Sequence, residues 1–258
     1  PDAKQAAQQG ILSHLSLPQF RILDAWLPPD KPMHAAKLLY RHSSASEKVA
    51  RMQDQRRIPP RGFQGETLSF FEMSTHCVFA ACSGAGPTVA LVLLSNGAIF
   101  GGYLPCPFPP FDAEHVQYVE SWLDDDNAFV FSLVAPPHRQ NDPPTKLPVA
   151  WHGVADQAQR QALAEHAATR LRNDRSQYNG TLLDTVKFHC DNTECLIAKI
   201  DWGCALELNC VDPSRSASLV NGVYVLPGAS QWSSDMRKTW LAGPTPWAVE
   251  EIEVYGWG

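Results

Sequence analysis

The sequence predicts a mainly β (α+β) protein, a two-sheet antiparallel β-sandwich with peripheral helices. Three observations predict it. Thr88–Leu94 is a short apolar run rich in β-formers, too brief for a membrane span and suited to a strand buried on both faces. Asn96-Gly97 follows at once, and that pair takes the positive φ values of a tight hairpin turn. Near the chain end the runs become two-sided. Ile197, Lys199 and Asp201 alternate with Ala198, Ile200 and Trp202, while Glu250, Glu251 and Glu253 surround Ile252 and Val254. That pattern suits strands with one wet face and one buried face. Most connections lack a helix, which favours antiparallel pairing over a parallel α/β sheet.

A chain of 258 residues can bury a substantial core, as one large domain or two small ones. Its 44% hydrophobic content excludes wholesale disorder. A net charge of −6 and a pI near 5.8 argue against a nucleic-acid partner held by a broad positive field. No apolar run is long enough to span a membrane. Seven cysteines, an odd number in a chain of this size, point to a reduced intracellular compartment. The cytoplasm fits, as does a mitochondrion or another organelle after removal of a targeting segment. Pro1 in place of Met suggests a processed or truncated start.

In chain order, Asp2 with Gln5 forms a capping pattern for a helix running towards Leu15, with Ala7, Ile11 and Leu15 on one face. Pro18 fits the first turn of a second helix through Phe20, Leu23 and Trp26, ended by Pro28-Pro29. Residues 1–29 thus read as an N-terminal helical extension, docked on the main body or on a partner. Lys37–Tyr40 reads as a short strand. Residues 43–65 are polar and basic around Pro59-Pro60 and read as a surface excursion. Thr67 can cap a helix holding Leu68, Phe71, Thr75, Val78 and Phe79, with its end near Gly84-Ala85-Gly86.

After the hairpin turn the chain returns through Ala98–Phe100 to Gly101-Gly102, where missing side chains admit a bulge or another backbone. Pro105–Phe111 is a loop or edge segment. Val116–Leu123 suggests a turn of helix, followed by the solvated turn Asp124–Asn127 and the strand Ala128–Val134. Pro136–Pro148, proline-rich and aperiodic, reads as a linker or surface loop. Asp156 with Gln159 resembles a capping box for a helix to about Asn173, with a narrow stripe of Leu163, Ala167 and Leu171. Thr185–Cys190, Cys195–Trp202, Ala205–Val211 and Val249–Gly256 complete the strands.

Several of these stretches occur in a telling order. They are Lys37-Leu38-Leu39-Tyr40, Gly86-Pro87-Thr88 through Gly101-Gly102-Tyr103, Ala128–Leu133, Val186–Cys190, Cys195–Ala198, Trp202–Leu208 and Ile252–Trp257. Together they resemble the TLDc domain of the oxidation-resistance protein family. The resemblance implies a β-sandwich over residues 37–258 with insertions at 46–65 and 151–179. It implies no established catalytic triad and no cofactor. It also implies a link to oxidative-stress resistance and to binding, disassembling or regulating the vacuolar proton-pumping ATPase (V-ATPase). Gly101, Gly102, Gly203 and Glu253 match its fold-defining positions. The family's glycine triplet is reduced here to Trp202-Gly203-Cys204, and Glu207 stands where the family has Trp.

Residue chemistry was weighed against plainer roles. His189, Cys190, Cys195, Cys204 and Cys210 offer zinc-ligand types, but their wide spacings favour core cysteines and no metal. His76-Cys77 lies mid-helix, away from a helix start that would activate a thiol. Asp124–Asn127 lacks the alternating ligands and central glycine of a calcium loop. Gly84–Pro87 lacks the Lys-Ser/Thr ending of a phosphate loop. Arg51, Arg56, Arg57 and Arg61, with Trp232 and Trp240, are the candidate partner-binding residues. Loop tryptophans serve as interface anchors or as covers for a sheet edge. The expectation is a non-catalytic protein-interaction module, an accessory or regulatory subunit of a larger assembly. A thiol-based redox or hydrolytic enzyme is the alternative, and a carbohydrate-binding sandwich is weaker still.

Overall fold

A computed structural model describes residues 10–43, 78–108, 118–123, 125–174, 186–191, 197–202, 206–209, 224, 239–243 and 248–257. Among them the strands are β1 (Lys37–Ser43), β2 (Thr88–Leu94), β3 (Ile99–Leu104), β4 (Tyr118–Leu123), β5 (Phe129–Val134), β6 (Thr145–Pro148), β7 (Val186–Asp191), β8 (Ile197–Trp202), β9 (Leu206–Asn209) and β10 (Val249–Gly256). The helices are α1 (Leu17–Trp26), α2 (Val78–Cys82) and α3 (Gln157–Asp174). One antiparallel sheet runs β1-β10-β2-β3-β5-β6, and a second runs β4-β7-β8-β9. The protein is mainly β.

The hairpin forms for the reason its residues suggest. Gly97 takes φ +83°, and the Asn96 side-chain oxygen accepts the Ala98 amide at 3.0 Å. Every residue of β2 and β3 is buried, so this sheet is apolar on both sides. Alternation sorts the side chains. Val92, Leu94, Phe100, Val130 and Val254 fall in one core cluster. Leu91, Leu93, Tyr103, Phe129 and Phe131 fall in the other.

Residues 10–36 cover the second cluster, contributing Ile11, Leu23, Leu27 and Met33. The expected first helix shows at its described end only a 3-10 turn, Ile11–His14. Ser13 bonds back to the Gly10 carbonyl, and Ser16 already caps the next helix. In α1, Ser16 and Gln19 form a reciprocal capping box and Pro18 occupies the first turn, as its fixed φ favours. The first cluster is closed by Val78 and Cys82 of α2, Trp151, Ala164 of α3, Leu206 and Trp240-Leu241-Ala242.

Two expectations are corrected. Residues 118–123 form β4 and not a turn of helix: Tyr118, Glu120 and Trp122 alternate with Val119, Ser121 and Leu123, and each residue has a β7 partner. Aromatic and branched residues at period two suit a strand. The segment 136–148 is not wholly loop, because it holds a 3-10 turn (Pro137–Arg139) and the edge strand β6. A strand ending in Pro148 is tolerated at an edge, where one side of the ladder needs no donor.

The N-terminal segment is too deeply committed to be an accessory. Burying Ile11, Leu23, Leu27 and Met33 contributes about 6–12 kcal/mol at roughly 1.5–3 kcal/mol per side chain. That is comparable with the net stability of a whole domain. Leu23→Ala should therefore cost about 2–5 kcal/mol in urea unfolding, as for other buried leucines. A loss within about 0.5 kcal/mol, the range of surface changes, would separate residues 10–36 from the core.

Candidate functional site

Strand register makes the site. Arg41 of β1 sits directly opposite Glu253 of β10, so both side chains leave the sheet on the same face. The Glu253 side chain is fully buried. The two-sided pattern of β10 suggested a wet face there. That expectation is corrected, because residues 10–36 lie over it.

Both carboxylate oxygens of Glu253 are occupied. Oε1 accepts Arg41 Nε at 2.7 Å and also Arg41 Nη2. Oε2 accepts the Ile11 amide at 2.9 Å and the Tyr255 hydroxyl at 2.7 Å. Gly10 allows this approach, since a Cβ there would fall 1.9 Å from Arg41 Nη2 and 2.1 Å from Glu253 Oε1. With four donors arranged around it, Glu253 has no open side from which to take a substrate proton. It pins the N-terminal segment and β1 to β10.

The surrounding groups respond to that charge. Burial disfavours the Arg41 charge, but its bond to Glu253 and the attraction of Glu253 and Glu251 outweigh this and raise its pKa. Burial, then the Glu253 charge and the hydrogen bond to it, raise the pKa of Tyr255, which keeps its proton.

Further bonds hold the cover. Lys146 Nζ donates to the Trp26 carbonyl at 3.1 Å and stands 4.0 Å from the centre of the Phe129 ring. Burial lowers its pKa. Trp257 Nε1 donates to the Pro32 carbonyl at 2.9 Å, and Gln19 Nε2 reaches the Leu133 carbonyl at 3.4 Å. Asp24 accepts the Met33 amide at 2.6 Å, closing the bend after α1.

Gly101 lies mid-strand opposite Leu91 and Phe131. A Cβ there would sit 1.9 Å from the Ala90 carbonyl oxygen, so glycine is what lets the strands and the Phe131 ring close. Gly102 pairs with Ala90 and Val130. Trp240 is 3% exposed, and Arg139 closes its outer face, with the guanidinium carbon 3.9 Å from the ring centre. Arg139 also donates to the Trp240 carbonyl and to Asp142. Gly203, Arg51, Arg56, Arg57, Arg61 and Trp232 lie outside the described residues.

The candidate metal residues are not drawn together by what is described. His189 and Cys190 lie on β7, while Cys195, Cys204 and Cys210 fall outside the described residues, as do His76 and Cys77. Among the described residues no group of three His, Cys, Asp or Glu side chains is placed to hold a metal ion. Asp125 caps its own turn by accepting the Asn127 amide at 2.9 Å. Cys82 is buried, and the Cys106 thiol is pushed up to about 11 by burial and then by Asp125.

Sequence reasoning identified Glu253 but not Arg41, Tyr255, Lys146 or the Ile11 amide. A signal was present for Arg41: it lies in a strand-like run next to Tyr40, as Glu253 lies between Val254 and Ile252.

Two outcomes follow. Glu253→Ala should cost about 2–6 kcal/mol in urea unfolding, because it leaves the buried Ile11 amide and Tyr255 hydroxyl without their acceptor, at about 1–3 kcal/mol each, and leaves Arg41 to Glu251 alone. A cost within about 1 kcal/mol would show that Glu253 pins nothing. Cys106 should react with iodoacetamide in the folded protein at neutral pH far more slowly than a free thiol. At a pKa of about 11 only roughly one thiol in ten thousand is thiolate at pH 7. Labelling at the rate of free cysteine would instead mark a reactive thiol.

Compared with known proteins, the chain matches no family model and no curated protein.

Proposed function

We propose that this chain is a non-catalytic protein-interaction module, an accessory or regulatory subunit of a larger assembly, built as a TLDc-like β-sandwich. The observation that carries the reading is where the TLDc-like stretches fall. Lys37–Tyr40, Thr88–Tyr103, Phe129–Leu133 and Ile252–Gly256 lie on β1, the β2–β3 hairpin, β5 and β10 of a single sheet. Of the remaining stretches, the described residues Val186–Cys190, Ile197-Ala198, Trp202 and Leu206–Leu208 lie on β7, β8 and β9 of the other. Face-to-face packing of the sheets is supported by Leu206 of β9, which is fully buried in the same cluster as Phe100 and Val130.

In this reading the sheets form a rigid slab and the partner is met by loops, with Arg51, Arg56, Arg57 and Arg61 as charged contacts and Trp232 as an anchor. Glu253, Arg41 and Lys146 are spent on holding the slab together. No helix among the described residues is long and apolar enough to cross a membrane. The reading puts the chain in the cytoplasm, acting on the cytosolic sector of a membrane-bound assembly such as the V-ATPase.

Fold alone does not fix function, so binding is the test. Purified chain mixed with V-ATPase-bearing membranes should co-sediment with them, change their ATP hydrolysis and release peripheral subunits to the supernatant. None of these changes would overturn the assignment of this pump. Purification of the chain from its source in mild salt, followed by mass spectrometry, tests the wider reading. A monomer that brings nothing down would overturn the interaction module itself.

A further inference from the structure

Two carboxylates crowd one guanidinium nitrogen, which gives its hydrogen to Glu253 and forms an ion pair with Glu251. Arg41 Nε carries a single hydrogen, yet it lies 2.7 Å from Glu253 Oε1 and 3.0 Å from Glu251 Oε1. The claims are not equivalent. Glu253 is fully buried and its other oxygen holds the Ile11 amide, whereas the Glu251 side chain is 12% exposed and within reach of protons from solvent. We propose that Glu251 is the proton-responsive half of a latch that fastens the N-terminal segment to the sheet, so that the segment is held more firmly as pH falls.

The latch works through the shared guanidinium. Charged Glu251 attracts the same guanidinium and sets a second negative charge beside Glu253. Neutral Glu251 leaves both guanidinium donors, Nε and Nη2, to Oε1 of Glu253, and such charge-assisted bonds are the strong ones. Glu253 then stays anchored beneath the Ile11 amide, and Gly10 and Ile11 stay seated. The groups facing Glu251 can be named. β1 contributes Arg41, β10 itself contributes Glu253 and Glu250, and the turn Ile11–His14 contributes His14. The β2 residue paired with Glu251, Leu93, brings no charge.

The balance of these groups agrees with the geometry. Burial, then repulsion from Glu253, holds the Glu251 carboxyl above its ordinary range; Arg41 and His14 act against this, and Glu250 adds to it. A carboxyl whose pKa is raised by folding binds its proton more readily in the folded state. The stability it contributes is therefore present at low pH and is lost as pH rises through the raised value. This sense is opposite to that of a salt-bridged carboxylate with a lowered pKa.

The test is urea unfolding of the whole chain from the ordinary carboxylate value of 4.5 up to about pH 7.5. Against Glu251→Gln, the unaltered protein should show an extra fall in midpoint as pH rises, and the two profiles should converge at the acid end. Parallel profiles would overturn the latch. His14→Asn removes the other titrating neighbour and should keep that extra fall; its disappearance in this variant would move the response from Glu251 to His14 and overturn the proposal. A second readout needs no variant. Hydrogen exchange of the peptide covering residues 10–16, corrected for the intrinsic rate at each pH, should show less protection at the higher pH. Equal or greater protection there would overturn the latch even if Glu251→Gln failed to fold.

Discussion

A sheet that is apolar on both faces must be covered on both, and that requirement organises the rest of this molecule. Thr88–Leu94 and Ile99–Leu104 leave no residue for solvent. One face is closed by the segment before β1, and the other by pieces drawn from far apart in the chain: α2, Trp151, α3, Leu206 and Trp240. A covering segment that adds no strand brings backbone groups that no ladder satisfies. Here the sheet supplies side chains for them: Lys146 for the Trp26 carbonyl, Trp257 for the Pro32 carbonyl and Glu253 for the Ile11 amide.

The charged pair between β1 and β10 has a different character from the apolar contacts around it. Taking a charge such as that of Glu253 out of water costs several kcal/mol, and attraction to the partly exposed Arg41 roughly offsets this when the geometry is good. The pair therefore adds little net stability over a well-packed apolar pair of the same volume. What it supplies is selectivity, since only one register of β1 against β10 brings Arg41 opposite Glu253. Slipping a strand by one residue would turn every side chain to the other face and bury an unmatched carboxylate.

Much of this architecture could be read from local sequence, and the exceptions have physical reasons. The Asn96-Gly97 turn, the apolar run before it, and Pro18 in the first turn of α1 are short-range signals, and each element formed where they placed it. β4 and β6 were missed because one mixes Glu and Ser into its alternation and the other is four residues long and ends in proline. Their state is set by the neighbouring strand rather than by their own composition. Glu253 was singled out only through the resemblance to the TLDc pattern. Its burial was not legible, because the alternation of β10 is the same whether water or the N-terminal segment lies over that face. Arg41 meets Glu253 across 212 positions of sequence, and no local pattern announces such a pairing.

The position of β10 has a consequence for how the chain assembles. This strand, the last among those described, lies between β1 and β2 and is the neighbour through which β1 joins the sheet. While the ribosome is still making residues 249–256, β1 has no seat and β2, the other neighbour of β10, exposes a bare edge. Closing that gap joins chain segments some two hundred residues apart, the kind of distant pairing that slows folding. Until β10 pairs, a nascent polypeptide of this design holds a sticky ribbon open, a period in which chaperone shielding matters most.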